Sequence, residues 1–388
     1  MNKKLFLLCI LITSIAITGC WDSIEIDDRT FIMALGIDVY KPTEEEKNIE
    51  DEKKYLPQHT RPPVSLTYVA SKPISAGGEV EIANITMSSV SHSSFTAKRQ
   101  MISRSDNELF LGHLKAVVLG DELVKNPMLF RETMDRIEKD PLISRRISMA
   151  VADGTAKEAL EIETELEKNI GKFISSLFIR QERSNRAPVA DAGDILTTLH
   201  KNGNVLIPRL VYSDKEIKIG GAAVIKDYKM EGWIGEMESL AYMIITNNLM
   251  TTALNHNMDD LIIPYTLTEI KTNIEAEKEG DNIKVVLSVI GEGDIDGLYF
   301  NPEEDVLDPS FVKKVQDGIC KDIQKLIIEA IKVFQKDYQI DIFQFGDYFR
   351  KYKPDVWRDI EKDWEEIFTE LEVVVETDIF MRRVGLSR

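Results

Sequence analysis

Hydrophobic and polar residues follow two rhythms along this chain. Thr30–Tyr40 (TFIMALGIDVY) is an almost unbroken apolar run, which predicts a buried strand with Gly36 at a close approach. Val64–Ala70 alternates and predicts a second strand, followed by a turn at Pro73 and Gly77-Gly78. Glu81–Ser91 is rich in Ile, Thr, Val and Ser and fits a strand or an extended loop; Ser93 or Ser94 then caps a helix running to about Ser105. Leu114–Leu119 reads as a strand. Glu122–Lys139 reads as one helix, because Leu123, Phe130, Met134 and Ile137 keep helical spacing up to the stop at Asp140-Pro141. Arg146–Ala152 returns as a strand, and Thr155 caps the helix after it. Residues 180–217 hold Pro188, Gly193, Asn202-Gly203 and Pro208, which predicts a weakly packed connector with one short helix, Ala192–His200.

The second half has a sharper outline. Ile217–Lys226 is a strand interrupted by Gly220-Gly221, and a helix follows from Glu236 to Met250. Thr266–Glu277 and Ile283–Val289 flank a Lys278-Glu279-Gly280-Asp281 turn, a hairpin pattern. Asp308 at the N-cap and Pro309 at the first helical position open a long helix. Its apolar residues keep 3–4 spacing from Val312 to Tyr338, and a continuous helix over 309–338 is ~45 Å long at 1.5 Å per residue. A second amphipathic helix starts near Pro354, and Leu371–Ile379 alternates as a closing strand. The expected fold class is α+β and multi-domain: mostly antiparallel sheets packed with helices, and a C-terminal domain with one long helix on a sheet. The division expected is 1–19 as a signal peptide, 20–200 as an N-terminal α+β region, 201–216 as a connector and 217–388 as the C-terminal domain.

The N-terminus obeys neither rhythm. Lys3 and Lys4 precede a thirteen-residue apolar stretch, Leu5–Ile17, too short to span a bilayer and the length of a signal-peptide core. Ile17-Thr18-Gly19-Cys20 follows. Small residues before a cut lie extended in a peptidase groove, and the Cys20 thiol can take a diacylglyceryl group. Ile17, Thr18 and Gly19 are the expected recognition residues, and Cys20 is the expected lipid-attachment site. The other cysteines are Cys9, lost with the signal, and Cys320, expected as an inert residue on the apolar side of the long helix. No intrachain disulfide can then form.

Charge sharpens this picture. The 388 residues carry 48 Lys and Arg against 66 Asp and Glu, a net charge of −18 that becomes −20 once Lys3 and Lys4 leave. Such a balance argues against nucleic acid as partner. It also means that an anionic leaflet repels the body as a whole, so two acyl chains must supply the attachment. Hydrophobic residues at 43% and charged residues at 29% fit a globular chain, with residues 41–63 as a charged, proline-bounded loop.

The residues offer little catalytic chemistry. His59, His92, His113, His200 and His256 are scattered, without an H-E-x-x-H pair. Neither a G-x-S-x-G elbow nor a phosphate-binding G-x-x-x-x-G-K-[ST] loop exists. Gly291–Gly297 (GEGDIDG) has the wrong glycine spacing and three acids, and reads as a strand end and turn. Asp294 and Asp296 are carboxylates that could touch calcium, but the glycine falls wrongly for a helix–loop–helix site. Trp357 and Trp364 at seven-residue spacing read as core packing. Asp341–Arg350 (DIFQFGDYFR) reads as a packed corner, or as a partner-binding knob if its rings are exposed. No catalytic residue, metal site or cofactor is expected.

Several segments taken in order resemble the C-subunit lipoproteins of spore germinant receptors, the Ger(x)C family. They are Gly19-Cys20-Trp21-Asp22 with Glu25 and Ala34-Leu35-Gly36-Ile37-Asp38; Ser94-Phe95-Thr96 and Gly112-His113-Leu114-Lys115 with Val118, Gly120 and Glu122; Gly221–Glu238; and Asp341-Ile342-Phe343 with Phe345-Gly346, Pro354, Trp357 and Trp364. The acidic loop 41–63 is longer than that family's usual pattern. The resemblance implies a non-enzymatic subunit, lipid-anchored on the outer leaflet of the spore inner membrane. There it would act beside membrane-embedded A and B subunits in a nutrient receptor. It also implies a multi-domain α+β fold whose N-terminal region can split in two. The rival expectations are a tethered solute-binding lipoprotein, which needs an inter-domain cleft with converging polar groups, and a tethered hydrolase.

Overall fold

The computed structural model of the chain describes residues 28–42, 62–76, 79–165, 167–188, 191–258, 260–279, 282–297 and 308–384. Among these, β1 (Arg29–Val39), β2 (Val64–Ala76), β3 (Glu79–Ser91), β4 (Glu108–Phe110), β5 (Ala116–Gly120), β6 (Ser148–Ala152), β7 (Val205–Tyr212), β8 (Ile217–Lys226) and β9 (Lys229–Ile234) form one sheet. Its order is β3-β2-β1-β5-β6-β7-β8-β9, with β4 paired to the start of β1. The middle of this sheet, β1-β5-β6-β7, is parallel. β5 (AVVLG) and β6 (SMAVA) are buried at every position, as parallel strands covered on both faces should be. Val117 and Leu119 of β5 face the core under helices Pro127–Lys139 and Ala192–Asn202. Ala116 and Val118 face the core under Ala156–Leu160 and Ile170–Ser184.

The second sheet is β10 (Thr252–Met258), β11 (Leu261–Glu279), β12 (Asn282–Ile295) and β13 (Glu372–Val384), in that order. Helix Pro309–Lys332 packs on one face and continues as a π-helical turn, Val333–Tyr338, so the helical path runs to residue 338. Asp308 accepts from Ser310 N at 2.8 Å and Pro309 begins the first turn. The long helix also closes over β13: Gln324 Nε2 donates to Val375 O at 2.7 Å, and Met381 N donates to Gln316 Oε1 at 3.0 Å. The fold is α+β with mixed sheets. Across both, six strand pairings are antiparallel and five are parallel.

Several segments differ from the sequence reading. Residues 180–217 are not weakly packed: they hold the end of helix Ile170–Ser184, the whole of Ala192–Asn202, and β7, whose Val205, Leu206, Ile207 and Leu210 are buried. The sheet runs through residue 217 without a break, because β7 pairs with β8. The helix expected over Glu122–Lys139 is two, Asp121–Val124 and Pro127–Lys139. Asn126 caps the second by accepting from Leu129 N at 3.2 Å, and Pro127 cannot supply the bond that would join them. Helix Glu236–Ile245 stops short of Met250, because Asn247 turns left-handed (φ 59). Gly291 and Gly293 lie inside β12, which continues to Ile295, rather than in a turn.

Candidate functional site

Cys20 and its neighbours Ile17, Thr18 and Gly19 lie outside the described residues. The body takes up the chain just before Arg29, where β1 pairs with β4. Nine residue steps from Cys20 to Arg29 reach at most ~30 Å. Around this entry Phe31 stands edge-on to Phe110 and His113, with ring centroids 5.7 and 4.9 Å away. The Arg29 guanidinium lies over Phe110 at 4.7 Å. Thus Gly112-His113-Leu114-Lys115 builds a clamp on the first strand, with Leu114 buried and Lys115 exposed.

The far end of β1 is fixed by Asp38. Its carboxylate accepts from Ala156 N at 2.7 Å and Lys157 N at 3.0 Å. A Cβ on Gly120 would run into Asp38 Oδ1, which accounts for a glycine at the end of β5. Burial pushes the Asp38 pKa up to about 6, against the two N–H bonds that favour the charged form. Ala34–Asp38 therefore fastens β1 to β5 and to helix Ala156–Leu160.

A polar cleft of ≈ 520 Å³ opens where the C-terminal helical corner meets the ends of helix Ala192–Asn202 and β8. Two lysines bridge it. Lys226 Nζ donates to Gln339 O at 3.1 Å and lies 3.5 Å from Glu365; Lys201 Nζ donates to Gln344 Oε1 at 3.1 Å and pairs with Asp347. Burial, and then the charges of Lys351 and Arg350, pull the Lys201 pKa down. Gln339 and Gln344 are both left-handed (φ 53 and 64), a conformation costly for residues with a Cβ. Under the corner Asp341 accepts from Gly346 N at 2.7 Å, Phe345 N at 3.1 Å and Trp364 Nε1 at 3.1 Å. Burial raises the Asp341 pKa against those three donors.

The corner is packed rather than offered to a partner. Phe343, Phe345 and Phe349 are 2%, 0% and 1% exposed, which excludes the knob reading. Trp357 and Trp364 meet edge-on at 5.5 Å against the same core. Cys320 is half-buried beside that core. The cleft lining supplies amides, carboxylates and ammonium groups. Among the described residues no cluster of His, Cys, Asp and Glu could hold a metal, and no helix is long and apolar enough to cross a membrane. The bridging residues Lys201, Lys226, Gln339 and Gln344 had no signature in the sequence beyond the Asn202-Gly203 turn beside one of them.

Comparisons with known proteins agree along the whole body. Residues 22–212 match the family described as spore germination protein N-terminal domain, and residues 220–385 match spore germination B3/GerAC like, C-terminal. Spore germination protein YndF of Bacillus subtilis (strain 168) is 24% identical over 98% of this chain and 96% of its own length. Spore germination protein B3 of the same organism is 23% identical over 92% and 91%. The crystal structure of the GerBC protein shares the fold, with a TM-score of 0.60 at 17% identity over 83% of this chain and 94% of that one.

Proposed function

As this chain belongs to the Ger(x)C family of spore germination proteins, we propose that it is the lipid-anchored C subunit of a nutrient germinant receptor. In this reading it sits on the outer leaflet of the spore inner membrane and contacts membrane-embedded A and B subunits. Its role is assembly and signal coupling, without catalysis. The supporting observation is the N-terminal arrangement of Lys3-Lys4, the apolar Leu5–Ile17 stretch and Gly19-Cys20 ahead of a body that both family halves match. Two acyl chains on Cys20 give stable attachment where one would be marginal. The test is Cys20→Ala: the variant should leave the membrane fraction and lose the nutrient response, and a variant that stays attached and lipid-labelled contradicts the reading.

The cleft favours a second reading, a tethered solute-binding lipoprotein, because polar groups from distant segments converge there. Calorimetry of the protein against amino acids and sugars separates the two: micromolar binding supports the second, and its absence supports the first.

A further inference from the structure

The N-terminal sheet is electrically polar along its strands. Three neighbouring parallel strands enter from a cation: β1 from Arg29, β5 from Lys115 and β6 from Arg146, two residues before its first. The same strands leave at an acid: Asp38 near the end of β1, Asp121 after β5 and Asp153 after β6, the last two paired with Lys125 and Arg209. Lys115 and Arg146 are exposed, and neither has an ion pair among the described residues.

The cationic end also carries a groove. Between helix Ser94–Ile102 and β4 lies a hollow of ≈ 550 Å³ edged by Lys98, Arg99 and Arg136, with Ile102 and Leu109 on its apolar side. Ile102 is 70% exposed, a large apolar side chain left in water. Asp106 and Glu108 stand on the rim, and Lys98 lies 3.4 Å from Asp140. This groove adjoins the entry of the tether, because Glu108 pairs with Arg29.

We propose that this pole rests on an anionic phospholipid leaflet, its cations against phosphate groups and Ile102 at the acyl boundary. The proposal rests on the lipid-anchor reading: the tether enters at Arg29, so it brings the cationic pole nearer the membrane than the acidic one, which lies ~30 Å further along β1. The mature chain's net charge of −20 repels the body as a whole, so the local cations fix its orientation while the acyl chains hold it. The competing occupant of the pole is the chain's own acidic stretch, with Asp22, Glu25, Asp27 and Asp28.

The test uses the mature lipidated chain with Cys320→Ser and a fluorophore on Ser103→Cys, beside the groove, or on Lys157→Cys at the acidic pole. The protein is bound to brominated vesicles of phosphatidylcholine alone or mixed with phosphatidylglycerol. Phosphatidylglycerol should increase quenching at residue 103 and leave residue 157 unquenched. Lys115→Glu with Arg146→Glu, both exposed, should reverse the increase, each lost cation lowering surface occupancy roughly fivefold. Equal quenching in both lipids, or quenching that survives the charge reversal, overturns the proposal and favours the acidic stretch as occupant. Flotation with neutral vesicles reports the anchor separately; failure there removes the premise, and the proposal with it.

Discussion

Asp38 makes stability depend on pH in a direction opposite to a surface carboxylate. Its unfolded form ionises near 3.8 and its folded form at about 6, so between these values the folded chain holds the extra proton. Stability from this group is full below the unfolded value, falls as pH rises through the window, and is level above it. A rise from 3.8 to about 6 corresponds to about 3 kcal/mol. Asp38→Asn cannot ionise, so its unfolding free energy in urea should lose about 3 kcal/mol less than the parent's between about pH 3 and 7. Parallel curves for the two chains would contradict this assignment. His256 offers a second residue-scale test. It is 7% exposed, holds Asp322 Oδ2 at 2.6 Å through Nδ1, and occupies the space where a Cβ on Gly318 would stand. Helix propensity alone predicts that Gly318→Ala stabilises by about 1 kcal/mol. Overpacking against the ring should instead make it destabilising by about 1–3 kcal/mol. In a His256→Ala chain the same substitution should turn neutral or stabilising; an unchanged penalty there would place the strain elsewhere.

Elements were legible where pattern and packing agree. β1 and the long helix from Asp308-Pro309 stand as the periodicity predicts, because each buries one clear set of apolar residues, whereas β2 runs on through Pro73, expected as a turn, to Ala76 in register with β3. β10 was missed: its core-facing positions include Thr252 and His256, so the alternation is hidden in polar residue types. β7 was missed because Pro208 and the preceding Asn202-Gly203 look like loop. Here the proline is accommodated beside a register shift between Pro208 and Leu210. β12 ran past its expected end because Gly291 and Gly293 allow the backbones of β11 and β12 to approach closely. The proposed anchor rests on a local pattern of four adjacent residues, Ile17–Cys20, whereas the cleft joins Lys201 to Gln344 across 143 positions and leaves no local pattern. Asp341 tests the corner as an element. Asp341→Ala leaves two backbone N–H groups and an indole N–H without their acceptor, a loss of about 2–4 kcal/mol. Urea unfolding followed by tryptophan fluorescence measures it, and a loss no larger than a surface substitution would contradict the role given to this carboxylate.

At the scale of the molecule, the two halves share a wall. Leu206, Ala222, Val224 and Ile234 of β7–β9 belong to the C-terminal core, while Val205, Ile207, Ala223 and Ile225 of β7 and β8 face the N-terminal one. Packed side chains therefore run from the N-terminal sheet to the C-terminal core. In the proposed function one modified cysteine, Cys20, holds this acidic body to its membrane. Mass spectrometry of the protein extracted from spore membranes tests it most directly. An anchored chain should give an N-terminal peptide that begins at Cys20 and carries the added mass of a diacylglyceryl group. An N-terminal peptide beginning elsewhere, or an unmodified Cys20, would contradict it.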